Sequence, residues 1–80
     1  MRKPKQSLSD GFSRVVSKHR EKQGLSRSEV ARLAGLHQTY IGLLERGQRT
    51  PNLDTADAIA KALHVPLTQL VREASKAKVG

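Results

Sequence analysis

Apolar residues recur along the chain at the three- and four-residue spacing of helices that are buried on one side. The spacing is clearest at Ala56, Ile59, Ala60 and Leu63, which form a single stripe. No segment shows the strict apolar and polar alternation that is typical of a half-buried strand. The pattern therefore predicts an all-α protein in which each helix contributes one apolar face to a shared core.

Helix-starting and helix-ending residues divide this pattern into five helices. Ser9, Ser26 and Asn52 are candidate N-caps, because their side chains can accept a hydrogen bond from a first-turn amide. Ser26 and Glu29 together have the form of a capping box, and Pro66 suits the first turn of a fifth helix. Glycine readily takes the left-handed conformation that closes a helix. The glycines expected in this role are Gly24, Gly35 and Gly47.

The five helices are expected to form one domain over residues 9–74. A chain of 80 residues buries a limited core and has no space for a deep catalytic cleft as well. Residues 1–8 are basic and contain a proline, so we expect a flexible arm there, and we expect a flexible tail at residues 75–80.

The charge of the chain indicates an anionic partner. Fifteen Lys and Arg residues against seven Asp and Glu residues give a formal charge of +8, and the pI is near 10.7. Such a balance attracts nucleic acid through sequence-independent electrostatics, although it could also only keep a small protein soluble. The only aromatic residues are Phe12 and Tyr40, so the stacking surface of single-strand binders is missing. Duplex DNA is the favoured partner.

Other classes of protein find little support in the sequence. There is no cysteine for a disulfide or a thiolate metal site, and we expect His19, His37 and His64 to be ordinary histidines. No metal, cofactor or small-molecule ligand is expected. No spacing of Ser, His and Asp pairs a nucleophile with a base, so the chain is not expected to be an enzyme. Without an apolar run of roughly 20 residues or a signal peptide, we expect a cytoplasmic protein without membrane contact.

The third helix has the polar face with the most informative chemistry. At about 100° per residue, Ile41 and Leu44 point inward, and Gln38 lies at the exposed N-terminal tip. The residues expected to point outward are Thr39, Gly42, Leu43 and Arg46. A helix in a major groove touches base edges with its N-terminal residues, and both Gln and Thr can bond to bases. This face suits the reading of duplex DNA.

Residues 27–46 resemble the helix-turn-helix of the XRE family of phage-repressor and Cro-type regulators. The resemblance rests on a small residue at the helix crossing, a glycine in the turn, two inward apolar residues and the end of the third helix: Ala31, Gly35, Ile41, Leu44 and Glu45-Arg46-Gly47. It continues through Arg49-Thr50-Pro51 and residues 58–63 to Leu70. The segment 35–42 is especially similar to controller proteins of restriction-modification systems.

The resemblance implies a compact five-helix, lambda-repressor-like DNA-binding domain with defined residue roles. The residues implied to face the bases are His37, Gln38, Thr39, Tyr40 and Leu43, and those implied to lie near phosphates are Arg27, Arg46, Gln48 and Arg49. Arg20 and Glu45 match the ion pair that links the first helix to the recognition helix. Gln38 is the favoured base reader, because a Gln side chain can bond adenine at two points. Leu43 could instead be only an exposed leucine, and Tyr40 could instead pack against its neighbours.

The interpretation that follows is a transcriptional regulator that binds palindromic duplex DNA as a homodimer. The candidate dimer residues are Val65, Leu67, Leu70 and Val71, which could also close the monomer core. One alternative is an antitoxin-like or other protein-interaction module whose DNA binding is autoregulatory. Another is an unspecific DNA coater, which the defined reading face disfavours. Arg2, Lys3 and Lys5 of the arm could contact DNA or could only be solvated.

Overall fold

The computed structural model describes residues 7–77, and these residues form five helices without a strand. The helices are α1 (Leu8–Lys22), α2 (Arg27–Ala34), α3 (Gln38–Glu45), α4 (Leu53–Leu63) and α5 (Leu67–Ala77). The predicted all-α, five-helix class is confirmed. Arg2, Lys3 and Lys5 of the expected arm, and residues 78–80 of the expected tail, lie outside the described residues. None of the described helices is long and apolar enough to cross a membrane.

The caps of α2 and α4 lie where their local sequences predict them. The Ser26 hydroxyl accepts from the Glu29 amide at 3.0 Å, and the Glu29 carboxylate accepts from the Ser26 amide at 2.7 Å. Asn52 Oδ1 accepts from the Thr55 amide at 2.8 Å. Gly35 closes α2 with a φ of +73°, a left-handed conformation that suits glycine. The turn between α2 and α3 is therefore defined by local chemistry.

The ends of α1 and α5 differ from the prediction. The N-cap of α1 is Ser7, whose hydroxyl accepts from the Asp10 amide at 3.2 Å, and Ser9 lies inside the first turn. Both serines can cap a helix, so local propensity alone does not distinguish them. Pro66 lies just before α5, and its carbonyl accepts from the amide of Gln69 at 2.9 Å. α5 continues to Ala77, so the helical structure extends beyond residue 74, the predicted end of the domain.

The core draws on all five helices. The large side chains that are fully buried are Val16, Val30, Ile41, Leu44, Ile59, Leu63 and Leu70. Ala31 is also buried, at the contact of α2 with its neighbours. The assignment of Leu70 to a dimer contact is thereby corrected, because its side chain has no exposed surface with which to meet a partner. α1 packs along α5, whereas α2 packs on α3 and α4. Because α1 also contacts α3, the pair α2 and α3 is held by α1 and α4 together.

A close approach of α1 to α5 depends on Gly11. A Cβ at this position would lie 2.3 Å from the carbonyl oxygen of Ala74. At this distance between the two helices, only glycine fits at position 11. The hydrophobic pattern gave no signal for this contact, because a glycine inside a helix adds nothing to an apolar stripe. α5 is therefore seated directly on the backbone of α1.

The orientation of α3 is held by the carboxylate of Glu45. Arg20 Nε donates to Glu45 Oε2 at 2.6 Å, and Arg20 Nη2 donates to Oε1 at 3.1 Å. Arg27 Nε donates to the same Oε1 at 2.9 Å. Only 2% of the Glu45 side chain and 11% of the Arg20 side chain are exposed. The end of α3 is thus tied to α1 and to the first residue of α2.

Charge and burial act against each other at Glu45. Burial has the largest single effect and opposes ionisation, but the hydrogen bonds from Arg20 and Arg27 outweigh it and hold the pKa of Glu45 below its ordinary value. A carboxyl group whose pKa is lower in the folded state stabilises the fold above its unfolded pKa. That stabilisation is lost as the pH falls through the folded pKa. The attachment of α3 is therefore strongest near neutral pH.

Replacing Glu45 by Gln should destabilise the fold by about 3 kcal/mol at pH 7, because buried Arg20 loses its charged partner. The wild-type free energy of unfolding should decline as the pH falls below the ordinary Glu pKa of 4.5 toward the lower folded pKa, and the gap between the two proteins should narrow there. Urea denaturation at a series of pH values measures both effects. Glu21→Gln is the matched control, because Glu21 contacts Arg20 at 3.7 Å but is 68% exposed. Equal stability changes in the two variants would contradict a special role for Glu45.

Gly11→Ala should lower the free energy of unfolding by about 1–3 kcal/mol, because the added methyl group collides with the backbone of Ala74. Gly42→Ala is the control, because a Cβ there meets only the end of the Arg46 side chain, at 3.5 Å. Both substitutions bring the same gain in helix propensity. Thermal and urea unfolding compare them, and a Gly11→Ala protein at least as stable as the wild type would disprove the close packing.

Candidate nucleic-acid interface

The first turn of α3 is an exposed polar surface on a well-anchored helix. Ile41 and Leu44 are fully buried, which fixes the rotation of α3 about its axis. Thr39 is exposed on the opposite side of the helix, and Gln38 is exposed at its N-terminal tip. The structure thus places the two predicted hydrogen-bonding readers together, at the N-terminal end of a helix whose other side is core. This arrangement matches the helix end that contacts base edges in a major groove.

His37 is the N-cap of α3. Its Nδ1 accepts from the Thr39 amide at 3.1 Å, so the neutral ring carries its proton on Nε2. The side chain is exposed, and Nε2–H is a donor at the edge of the predicted reading face. The sequence analysis placed His37 at the groove but did not identify its capping role. Position 37 therefore combines a structural contact with a free donor group.

Gly42 is buried, which corrects the expectation that it lies on the outer face of α3. The reason is the exposed residue Arg46, whose side chain lies back along the helix: a Cβ at Gly42 would be 3.5 Å from its Nη1. A larger residue at position 42 would compete for this space. The Arg46 guanidinium group therefore covers Gly42 on one side of α3.

Tyr40 and Leu43 lie at the sides of the exposed face. Both are half-buried, and the Tyr40 ring packs against the core. Burial raises the pKa of the Tyr40 hydroxyl, and the nearby positive charge of Arg49 partly opposes this rise. The hydroxyl keeps its proton at neutral pH and can donate a hydrogen bond. Tyr40 can therefore pack and present a polar group at the same time.

The four predicted phosphate contacts are all exposed: Arg27, Arg46, Gln48 and Arg49. Arg27 is 49% exposed although its Nε bonds Glu45. It also begins α2, where the backbone dipole favours an anion. The sequence gave no signal for the contact of Arg27 with Glu45, because tertiary packing alone brings the two residues together. Arg27 thus connects the buried ion pair to the surface.

A separate apolar groove lies where α1, α4 and α5 meet. Among the residues that line it, Leu8, Leu53 and Val71 are exposed by 46%, 78% and 38%, and Leu67 is half-buried. Of the candidate dimer residues, Leu67 and Val71 line this groove and Val65 does not, although both Leu67 and Val65 also pack against the core. The sequence analysis missed Leu8 and Leu53, because single apolar residues in the first turn of a helix form no stripe.

Comparisons with known proteins agree on the family. The helix-turn-helix family model matches residues 16–70. The control protein C.SmaI of Serratia marcescens is 39% identical over 56 residues, which cover 70% of this chain and 67% of that protein. The crystal structure of the restriction-modification controller C.AhdI from Aeromonas hydrophila is 34% identical, with a TM-score of 0.74, and the match covers 78% of this chain and 94% of that one.

A second controller has been solved with DNA. The C.Esp1396I tetramer in complex with its natural 35 base-pair operator is 26% identical to this chain, with a TM-score of 0.83, over 91% of this chain and 96% of that one. These matches confirm the resemblance seen in segment 35–42. With the family model covering more than half of the residues, the chain belongs to the XRE-type helix-turn-helix family.

Proposed function

We propose that the protein is a transcriptional regulator that binds specific duplex DNA sites as a dimer. The observation that carries this proposal is the exposed first turn of α3, where Gln38 and Thr39 stand on a helix anchored by its buried side. Arg27 and Arg46 lie at the C-terminal end of the same helix, and the chain has a net charge of +8. The operator complex of the similar C.Esp1396I supports duplex DNA as the ligand. Because a regulator that binds duplex DNA must share a compartment with that DNA, we assign the protein to the cytoplasm.

Base recognition is assigned to the first turn of α3, lying in the major groove. The Gln38 amide can donate to and accept from one adenine, a contact that contributes roughly 1–3 kcal/mol to discrimination. Thr39 can offer its hydroxyl to a base or its methyl group to a thymine. The N-terminal tip of α3 has no arginine, the side chain that most often reads guanine. We therefore expect adenine and thymine at the base pairs that Gln38 and Thr39 contact.

Phosphate contacts are assigned to the basic residues at the edges of the reading face. Arg46 lies along α3 because Gly42 leaves space for it, and Arg49 lies near Tyr40. Arg27 can turn its terminal nitrogens to a phosphate while Nε stays on Glu45. Such contacts fix the position of α3 in the groove but carry no sequence information.

Dimerisation is assigned to the apolar groove between α1, α4 and α5. A single recognition helix reads only a few base pairs, whereas a two-fold dimer reads two half-sites about 34 Å apart. Leu8, Leu53, Leu67 and Val71 offer the apolar surface that a self-complementary contact needs. Burying it would remove the largest exposed apolar side chains of α1, α4 and α5 from water.

Selection of bound duplexes from a random pool should enrich a palindrome with the wild-type protein. With Gln38→Ala, the base preference should relax at one symmetric pair of positions, because the two-point contact is gone. Gln48→Ala is the control, since it removes the same side chain outside the reading turn and should weaken all duplexes alike. Selection without any enriched motif would refute sequence-specific binding, and an unchanged motif with Gln38→Ala would refute the role of Gln38.

Leu53→Glu combined with Val71→Glu should convert the dimer to a monomer, because two carboxylates would be buried without partners at the contact. Sedimentation velocity measures the change in mass, and affinity for the selected palindrome should fall with it. Leu33→Glu is the control, since Leu33 is 49% exposed on α2 and lies outside the groove. A dimer that survives the double substitution would place the interface elsewhere.

A further inference from the structure

A second groove runs between α1 and α5, and it has a different chemistry. Its lining residues are Arg14, Val15, Lys18, Glu73, Lys76 and Ala77. The apolar part consists of Val15 and Ala77, and the charged residues stand around it. We call it the α1–α5 groove. It has no lining residue in common with the apolar groove assigned to dimerisation.

The α1–α5 groove has an excess of positive charge. Arg14, Lys18 and Lys76 are exposed, and within residues 7–77 neither Arg14 nor Lys76 has an acidic partner within 4.0 Å. The single carboxylate, Glu73, already accepts from Gln69 Nε2 at 2.8 Å and bonds His19 Nε2 at 2.9 Å. Arg14 and Lys76 therefore add positive charge to a groove whose single acid, Glu73, is already bonded to Gln69 and His19 and also interacts with Lys18.

Part of the α1–α5 groove lies away from the DNA-reading surface. Arg20 points from α1 toward Glu45 at the end of α3. Lys18 precedes Arg20 by two residues, which places it about 160° away around the helix, and Arg14 lies about 120° away. The other wall, α5, packs on α1 and α4 and is not part of the helix-turn-helix. The α5 side of the groove therefore lies outside the helix-turn-helix, whereas Arg14 also lies beside Glu45, Arg46 and Gly47 at the end of α3.

We propose that the α1–α5 groove binds an acidic segment of a partner protein. Carboxylates of the segment pair with Arg14, Lys18 and Lys76, and an apolar side chain of the segment rests on Val15 and Ala77. The apolar floor favours a protein over further DNA, because a phosphate backbone makes no use of it. Charges at the rim would steer the partner and select against basic segments. This inference goes beyond DNA recognition, since its residues take no part in the reading face.

The test titrates the full chain with a short fluorescent peptide of glutamates around one central leucine. Wild type should bind it, and Arg14→Glu with Lys18→Glu should weaken binding by about tenfold or more. Lys22→Glu with Arg72→Glu is the matched control: both residues are exposed and outside the groove, and the net charge changes equally. The control should stay within about twofold of wild type. If charge reversal lowers thermal stability, Arg14→Gln with Lys18→Gln replaces it.

A duplex arm separates the proposed partner from DNA. Wild type saturated with its selected palindrome should bind the peptide as well as free protein does. Displacement of the peptide by the duplex would assign the groove to DNA, and equal losses in both double variants would show unspecific attraction. A change of oligomeric state with Arg14→Glu and Lys18→Glu would assign it to a second copy. Each of these three results overturns the proposal, and the peptide titration without DNA stays decisive if sequence-specific binding fails.

Discussion

The buried carboxylate of Glu45 is the contact on which the position of the recognition helix depends. An eight-residue helix is too short to be stable by itself, so α3 relies on its neighbours. Glu45 receives hydrogen bonds from Arg20 on α1 and from Arg27 on α2. A buried charge without its partners costs several kcal/mol, so α3 cannot rotate away without a large penalty. The reading turn at the other end of α3 is therefore held at a defined angle.

Two glycines contribute by leaving space. Gly11 allows α5 to rest on the backbone of α1, which makes these helices one support for the rest of the domain. Gly42 allows the guanidinium of Arg46 to lie beside α3. At Gly11 the close contact excludes any side chain, whereas at Gly42 a Cβ would lie at an ordinary van der Waals distance from Arg46.

Three surfaces with different chemistry share this small framework. The reading face is polar and surrounded by basic residues, the groove at Leu53 and Val71 is apolar, and the α1–α5 groove is basic with an apolar floor. No residue belongs to more than one of them. The three proposed contacts, DNA reading, self-association and partner binding, therefore use separate sets of residues.

Local sequence determined the features that depend on neighbouring residues alone. The α4 stripe, the capping box of Ser26 and Glu29 and the left-handed turn at Gly35 follow from helical periodicity and cap chemistry, which act within a few residues. The Arg20–Glu45 pair, 25 positions apart, came from family resemblance, since no local rule links such distant residues.

Tertiary packing decided the rest. It placed Leu70 in the core, buried Gly42 under Arg46 and brought Arg27 to Glu45. Each of these outcomes depends on which helices meet and at what distance. A periodic pattern shows which side of a helix is apolar, but only the packed structure shows what covers that side.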